Sequence, residues 1–356
     1  MRKDHLIDLN DLTKTQWEHI VELAIRISNS PEKYADACRG KILATLFYEP
    51  STRTQMSFQT AMLRLGGNII GFDNPQNSSV SKGENLVDTI TIVSGYADII
   101  AMRHSMEGAA LAGAQYSRVP LINAGDGGHL HPTQTLTDMV TLANEIGDLN
   151  HMTIGLCGDL KNGRTVHSLI KALSHYRNMK FILISTDELT LPQRFKDIII
   201  ESSNEYEEIY SLDDAIGMLD VLYMTRIQKE RFSSEKLYQE QKNIYILTPD
   251  KLTHARPDLK ILHPLPRVDE ISMEVDLDPR AIYFKQARYG VYARMALIIT
   301  LLDTVSNEPI LKGTSHGQHC KNPRCVTNTE PYLKSSFVMD GGLFHCEYCD
   351  APLLIR

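Results

Sequence analysis

The chain has 356 residues, a formal net charge of −7, 42% hydrophobic and 23% charged residues. These values fit a soluble globular protein of two or three domains and give no bulk positive field for nucleic acid, so an anionic ligand would need a local cluster of cations. The N-terminus lacks the apolar stretch of a secretory signal, and the apolar run around 295–302 is flanked by Arg294 and Asp303 and reads as a core helix; the expected compartment is the cytoplasm, with neither nucleic acid nor membrane as partner.

From about Lys41 onward, short apolar runs alternate with amphipathic stretches. ILATLFY (42–48) predicts a buried strand. Phe58, Met62 and Leu65 then recur at helical spacing until Gly66 and Gly67 stop the helix. NIIGF, DIIAM and PLINA repeat the strand signal. A helical stretch at 132–146 leads into a second series: MTIGLCGD, KFILIST, VLYMTR, NIYIL and LKILHPL, again with helices between. This alternation predicts two α/β domains with doubly wound parallel sheets, linked by helices. Residues 287–302 predict a long helix, and from Ser306 the chain becomes a polar linker. Four cysteines follow, with a strand-like SSFV between the pairs, which predicts a small third unit.

Polar residues gather where the predicted strands end. Ser51, Thr52, Arg53 and Thr54 lie between a strand and a helix, where free N–H groups, hydroxyls and a guanidinium suit a phosphate. Ser79 and Lys82 stand in a polar loop. Arg103 follows DIIAM, at the sheet edge where open α/β folds bind ligands. After PLINA comes GDGGHLHPTQ, in which His131 can donate to a carbonyl oxygen and Gln134 can bond an amide, while His129 reads as structural. The second series repeats the logic with Arg164 after MTIGLC, Arg226 and Gln228 after VLYM, and HPLPR after KIL. Each motif alone also fits an ordinary helix cap, a solvated loop or a rim salt bridge. Their recurrence at matching places in both series favours two half-sites for anionic substrates.

FYEPSTRT, SKGE, MRH, HPTQ, DLKNGRT, YMTRIQKERF and HPLPRVDEI occur in the order found in aspartate carbamoyltransferases, and the resemblance covers nearly all of the first 305 residues. The resemblance implies transfer of the carbamoyl group of carbamoyl phosphate to L-aspartate, an early step of de novo pyrimidine biosynthesis. It implies a carbamoyl phosphate site of Ser51, Thr52, Arg53, Thr54, Arg103, His131 and Gln134, with the Leu265 carbonyl on the carbamoyl NH₂. Arg53, Thr54, Arg103 and His131 would be the catalytic group. It also implies an aspartate site of Arg164, Arg226, Gln228 and Pro266, completed by Ser79 and Lys82 from a neighbouring subunit of a homotrimer with shared active sites. Related ornithine enzymes carry H-C-L-P and S-M-G segments, whereas this chain reads HPLP and has no S-M-G. The mechanism expected from the resemblance has the deprotonated amine attack the carbamoyl carbon while Thr54, Arg103 and His131 stabilise the oxyanion, with domain closure aligning the pair. The expected boundaries are a carbamoyl phosphate-binding domain at 1–134, completed by the helix at 287–305; an aspartate-binding domain at 135–286; and a linker and zinc-binding domain at 306–356.

Cys38 and Cys157 stand alone and read as inert thiols. Cys320, Cys325, Cys346 and Cys349 form C-x4-C and C-x2-C pairs separated by twenty residues, a spacing that suits one structural Zn²⁺ per chain with no open position and no catalytic role. Disulfides are the alternative, disfavoured in a cytoplasmic protein. The segment also resembles the zinc domain of the aspartate carbamoyltransferase regulatory chain. The nucleotide-binding domain that precedes it there has no room here, so neither nucleotide control nor a separate regulatory chain is expected.

Overall fold

The computed structural model describes residues 2–3, 5–227, 235–241, 244–306, 310–315, 317–340 and 342–353. The chain forms two compact units: Met1–Thr133 with Val291–Arg356, and Gln134–Gly290.

The first unit begins with β1 (Arg2–Lys3) and helix α1 (Lys14–Asn29), whose capping box joins Thr13 and Gln16. Its sheet contains β2 (Ile42–Phe47), β3 (Asn68–Phe72), β4 (Ile99–His104) and β5 (Leu121–Asp126), all parallel, in the order β3-β2-β4-β5. Helix α2 (Thr52–Arg64) leads from β2 to β3, and α3 (Leu86–Val93) and α4 (Ala109–Tyr116) flank β4. β2 and β4 are buried almost throughout, as central parallel strands must be when helices cover both faces, and β5, at the end of the order, is buried too, with Leu6 bridged to Ile122. The strand order reverses between β2 and β4, the switch point at which doubly wound sheets open a crevice beyond the strands' carboxyl ends.

The second unit takes over within helix α5 (Pro132–Glu145) and returns the chain within the closing helix Tyr283–Asp303. Its parallel sheet has β6 (Thr153–Cys157), β7 (Lys180–Ile184), β8 (Glu205–Ile209), β9 (Val221–Met224) and β10 (Lys260–Leu262) in the order β10-β9-β6-β7-β8. Here the order reverses between β6 and β9, which pair directly with Cys157 opposite Met224. One strand expectation fails. Of NIYIL, residues 244–247 form only an isolated bridge from Leu247 to Ile271, and the fifth strand is the acidic EYEEI of β8. Tyr245 and Leu247 are buried, but in the layer packed against the sheet. β8 lies at the edge, where charge on the strand protects against further pairing and removes the apolar signal.

The tail stays with the first unit. β11 (Val305–Ser306) pairs antiparallel with β1, and β12 (Phe337–Asp340) with β13 (Leu343–Cys346). The buried side chains of Val326, Leu333, Phe337 and Tyr348 join the same apolar core as Ala109, Ala110 and Ala112. Backbone bonds stitch the junction: Glu107 N donates to the Arg324 carbonyl, and Val326 N to the Glu107 carbonyl, both at 2.9 Å. Gln115 Nε2 donates to the Tyr348 hydroxyl at 3.0 Å. The tail thus docks on its own chain beside α4.

Candidate active site and metal centre

In the first unit the register of β2 against β4 sets Phe47 opposite Arg103, and Tyr48 N donates to the Arg103 carbonyl at 2.9 Å. The chain after β2 therefore leaves the sheet beside Arg103. Ser51 stands at the N-cap position of α2 with no side-chain bond to the helix backbone, and its Oγ donates to Thr54 Oγ1 at 3.0 Å. Thr54 is buried, whereas Thr52 and Arg53 are exposed on the first turn, beside the helix N–H groups that have no partner within the helix.

The Arg103 side chain is 8% exposed. Its Nη2 lies 3.2 Å from Glu49 Oε1 and its Nη1 donates to the Ala124 carbonyl at 3.4 Å. Arg103 Nε and Glu49 Oε2 are buried with no partner among the described residues. A donor left unsatisfied in a buried cationic group is costly and marks a place built for another acceptor. Gly125, with φ +125°, lets this happen: a Cβ there would stand 2.6 Å from Arg103 Nη1 and 3.6 Å from His131 Cδ2. The guanidinium and the His131 ring thus converge on a backbone position that tolerates no side chain. His104, the next residue on β4, is kept neutral: burial lowers its pKa to about 4, and its Nδ1 accepts from Met106 N. Ser79 and Lys82 sit together on an exposed single turn, Ser79–Lys82, and no bond joins them to this cluster among the described residues.

The second unit repeats the arrangement at its own switch point. Gly158 after β6 has φ +113°, and a Cβ there would lie 2.6 Å from the Thr225 carbonyl. The close approach is used: Asp159 N donates to Thr225 Oγ1 at 3.0 Å, and Thr225 N to the Cys157 carbonyl at 2.8 Å. Asn162 N in turn donates to Asp159 Oδ1 at 2.9 Å, shaping the turn that starts α6 (Arg164–Leu173). Arg164 and Arg226, both half-buried, therefore emerge from neighbouring strand ends. Gln228 lies outside the described residues. Beyond β10, Leu265 has φ +51°, a conformation that non-glycine residues adopt only under constraint. Its N–H donates to His263 Nδ1 at 2.8 Å. Pro266 follows, exposed.

All four tail cysteines are buried, and their sulfur atoms lie within 4.8 Å of one another. Cys320 and Cys349 Sγ are 3.5 Å apart, and Cys325 and Cys346 Sγ 3.8 Å. Disulfides need about 2.05 Å. A tetrahedral ion with metal–sulfur bonds of about 2.3 Å sets its sulfurs about 3.8 Å apart, which these spacings match. Bonds among the thiols, that with Cys320 first in each case, pull Cys325 well below the usual thiol range and push Cys346 above it. The other thiols, Cys38 and Cys157, are raised by burial, Cys38 to about 11.

Two participants had only faint sequence signals. Glu49, beside the hydroxyl-rich turn, is the carboxylate that holds Arg103. Asp138, four residues after Gln134 on α5, accepts from Gln134 Nε2 at 2.8 Å. The i, i+4 spacing of an amide and a carboxylate was the available clue.

The chain matches the model of the aspartate/ornithine carbamoyltransferase carbamoyl-P binding domain over residues 4–144 and that of the Asp/Orn binding domain over 150–301. Residues 318–354 match the metal binding domain of the aspartate carbamoyltransferase regulatory chain. The aspartate carbamoyltransferase catalytic subunit of Clostridium perfringens is 57% identical over 303 residues, 85% of this chain and 99% of the relative. That of Clostridium novyi is 57% identical over 298 residues, 84% and 97% respectively. Among solved structures, the catalytic subunit of M. jannaschii aspartate transcarbamoylase superposes with a TM-score of 0.79 at 46% identity, covering 84% of this chain and 98% of that one. The Trypanosoma cruzi enzyme in complex with carbamoyl aspartate and phosphate gives 0.78 at 35% identity, covering 84% and 96%.

Proposed function

This chain belongs to the aspartate/ornithine carbamoyltransferase family, and from that premise we propose that it transfers the carbamoyl group of carbamoyl phosphate to the α-amine of L-aspartate, giving N-carbamoyl-L-aspartate and phosphate. The observation that carries the reading is the buried Arg103 guanidinium, held by Glu49 beside His131 with its Nε awaiting an acceptor.

Ser51, Thr52, Arg53 and Thr54 hold the phosphate at the start of α2, where the helix dipole adds to the charge of Arg53. Gln134 and the Leu265 carbonyl hold the carbamoyl NH₂. Arg164, Arg226, Gln228 and Pro266 receive aspartate, with Ser79 and Lys82 supplied by a neighbouring subunit. The amine nitrogen forms the new C–N bond as the carbamoyl C–O bond to phosphate breaks. Thr54, Arg103 and His131 stabilise the oxygen that gains charge, and the departing phosphate takes the amine proton. Shared sites call for an oligomer, here a homotrimer.

Cys320, Cys325, Cys346 and Cys349 would hold one Zn²⁺ per chain, which supplies cross-linking of the tail and no chemistry to the reaction. The tail already covers the surface around Glu107 and Gln115, which supports an enzyme without a separate regulatory chain. Among the described residues no helix is long and apolar enough to cross a membrane, in keeping with work in the cytoplasm on the pyrimidine pathway. A colorimetric assay with aspartate and with ornithine as acceptor tests the reading. Carbamoyl aspartate should form and carbamoyl ornithine should not; the opposite preference would overturn it.

A further inference from the structure

A buried chain of hydrogen bonds runs through the second unit from Gln134 to Leu265. Asp138, 0% exposed, accepts from Gln134 Nε2 at 2.8 Å, from Gln286 Nε2 at 2.7 Å and from the Tyr223 hydroxyl at 2.8 Å. Burial, and next the Asp138 charge, push the Tyr223 hydroxyl far up, so it remains a donor. Gln286 Oε1 accepts from His263 N at 2.9 Å. His263 Nδ1 accepts from Leu265 N, so the ring carries its proton on Nε2, which donates to Glu270 Oε1 at 2.7 Å. Glu270 Oε2 accepts from Val268 N at 3.0 Å and Asp269 N at 3.1 Å. Burial opposes charge on Glu270, but the His263 bond and these N–H groups outweigh it and hold the carboxyl below its ordinary range.

The chain leaves one orientation for each amide. A carboxylate accepts only, so Gln134 and Gln286 must both turn their NH₂ groups to Asp138. Gln134 is then left to present Oε1, an acceptor. At the other end His263, fixed by Glu270, holds Leu265 N in its left-handed conformation and so sets where the Leu265 carbonyl points. We propose that Asp138, with the His263–Glu270 pair, is a positioning network that makes the site select an acyl phosphate bearing an NH₂ group over one bearing a methyl group. Resting on the carbamoyl phosphate reading above, the inference adds what orients the two acceptors. A site built to bond an N–H leaves its acceptors unpaired when an analogue lacks it, which discriminates strongly.

The test compares carbamoyl phosphate with acetyl phosphate, its methyl isostere, as the KM of the first and the competitive Ki of the second in one assay. In Asp138→Asn one carboxylate oxygen becomes a donor, and Gln134 can no longer be held one way round. KM for carbamoyl phosphate should rise about 10–100-fold, as expected for losing an oriented hydrogen bond, while Ki for acetyl phosphate moves less than about threefold by the same reasoning, so the Ki/KM ratio narrows. Equal weakening of both ligands in a variant that melts like the parent would overturn the inference. If Asp138→Asn does not fold, Glu270→Gln carries the same test: the ratio narrows, or the inference fails. A parent enzyme that forms no carbamoyl aspartate would instead defeat the underlying reading.

Discussion

The crevice beyond β2 and β4 and the four-cysteine tail both gather groups that suit a charged ligand, but they are prepared in different ways. Arg103 leans on a strand whose neighbours are buried and apolar, so the sheet fixes it before any ligand arrives. The tail has two four-residue strands and a few apolar side chains shared with α4, and its four thiols lie within 4.8 Å of one another. Rigid secondary structure preorganises the first site; the second site creates its own local order when filled.

Removing the metal should therefore give the largest effect. Structural zinc sites contribute on the order of 10–16 kcal/mol to small folds. Metal analysis should find zinc at one per chain, and Cys346→Ser should lower both that content and the melting temperature. A zinc-free protein of unchanged melting temperature would erase the contrast between the two regions. Next comes Arg103→Ala, expected to lower kcat about 10²–10³-fold, as for loss of one oxyanion donor, with folding retained because the sheet does not depend on it. Near-normal turnover at saturating substrate would remove Arg103 from the chemistry. Arg226→Ala should be milder and one-sided, raising KM for aspartate about 10–100-fold, the worth of a charged hydrogen bond, while phosphate binding measured by calorimetry stays near that of the parent. Equal weakening of both substrates would dissolve the division into half-sites.

The smallest effect joins the two regions. His129 Nδ1 lies 3.3 Å from Asp126 Oδ2 and its Nε2 3.0 Å from Asp350 Oδ2 of the tail. Burial works against its charge, but the bonds to Asp126 and Asp350 raise its pKa to about 10. A pKa raised above the unfolded value of about 6.5 gives stability that is complete below pH 6.5 and declines as pH rises toward 10. Thermal melts from pH 6 to 9 should fall more steeply for the parent than for His129→Gln, and parallel curves would show that the bridge adds nothing.

Much of the fold was legible in the sequence because parallel strands buried on both faces read as unbroken apolar runs, and the candidate residues stood out because polar and charged groups follow those runs directly. The acidic edge strand β8 was not legible, since its side chains answer to solvent and not to a core. Tyr245 and Leu247 misled for the converse reason: they are buried without belonging to a sheet. At the site, the cations, hydroxyls and cysteines announced themselves by type and spacing. Glu49, Asp138 and Glu270 did not, because a carboxylate that only orients a neighbour is recognised from its partners. Those partners lie up to 148 residues away, as between Asp138 and Gln286.

The most direct test of the central claim is calorimetry with a single molecule that joins a phosphonate to L-aspartate, so that it engages both half-sites at once. Binding of one molecule per chain, competed by carbamoyl phosphate and by aspartate and weakened by both Arg103→Ala and Arg226→Ala, is the predicted result. Absence of binding, or binding indifferent to both substitutions, would contradict the account.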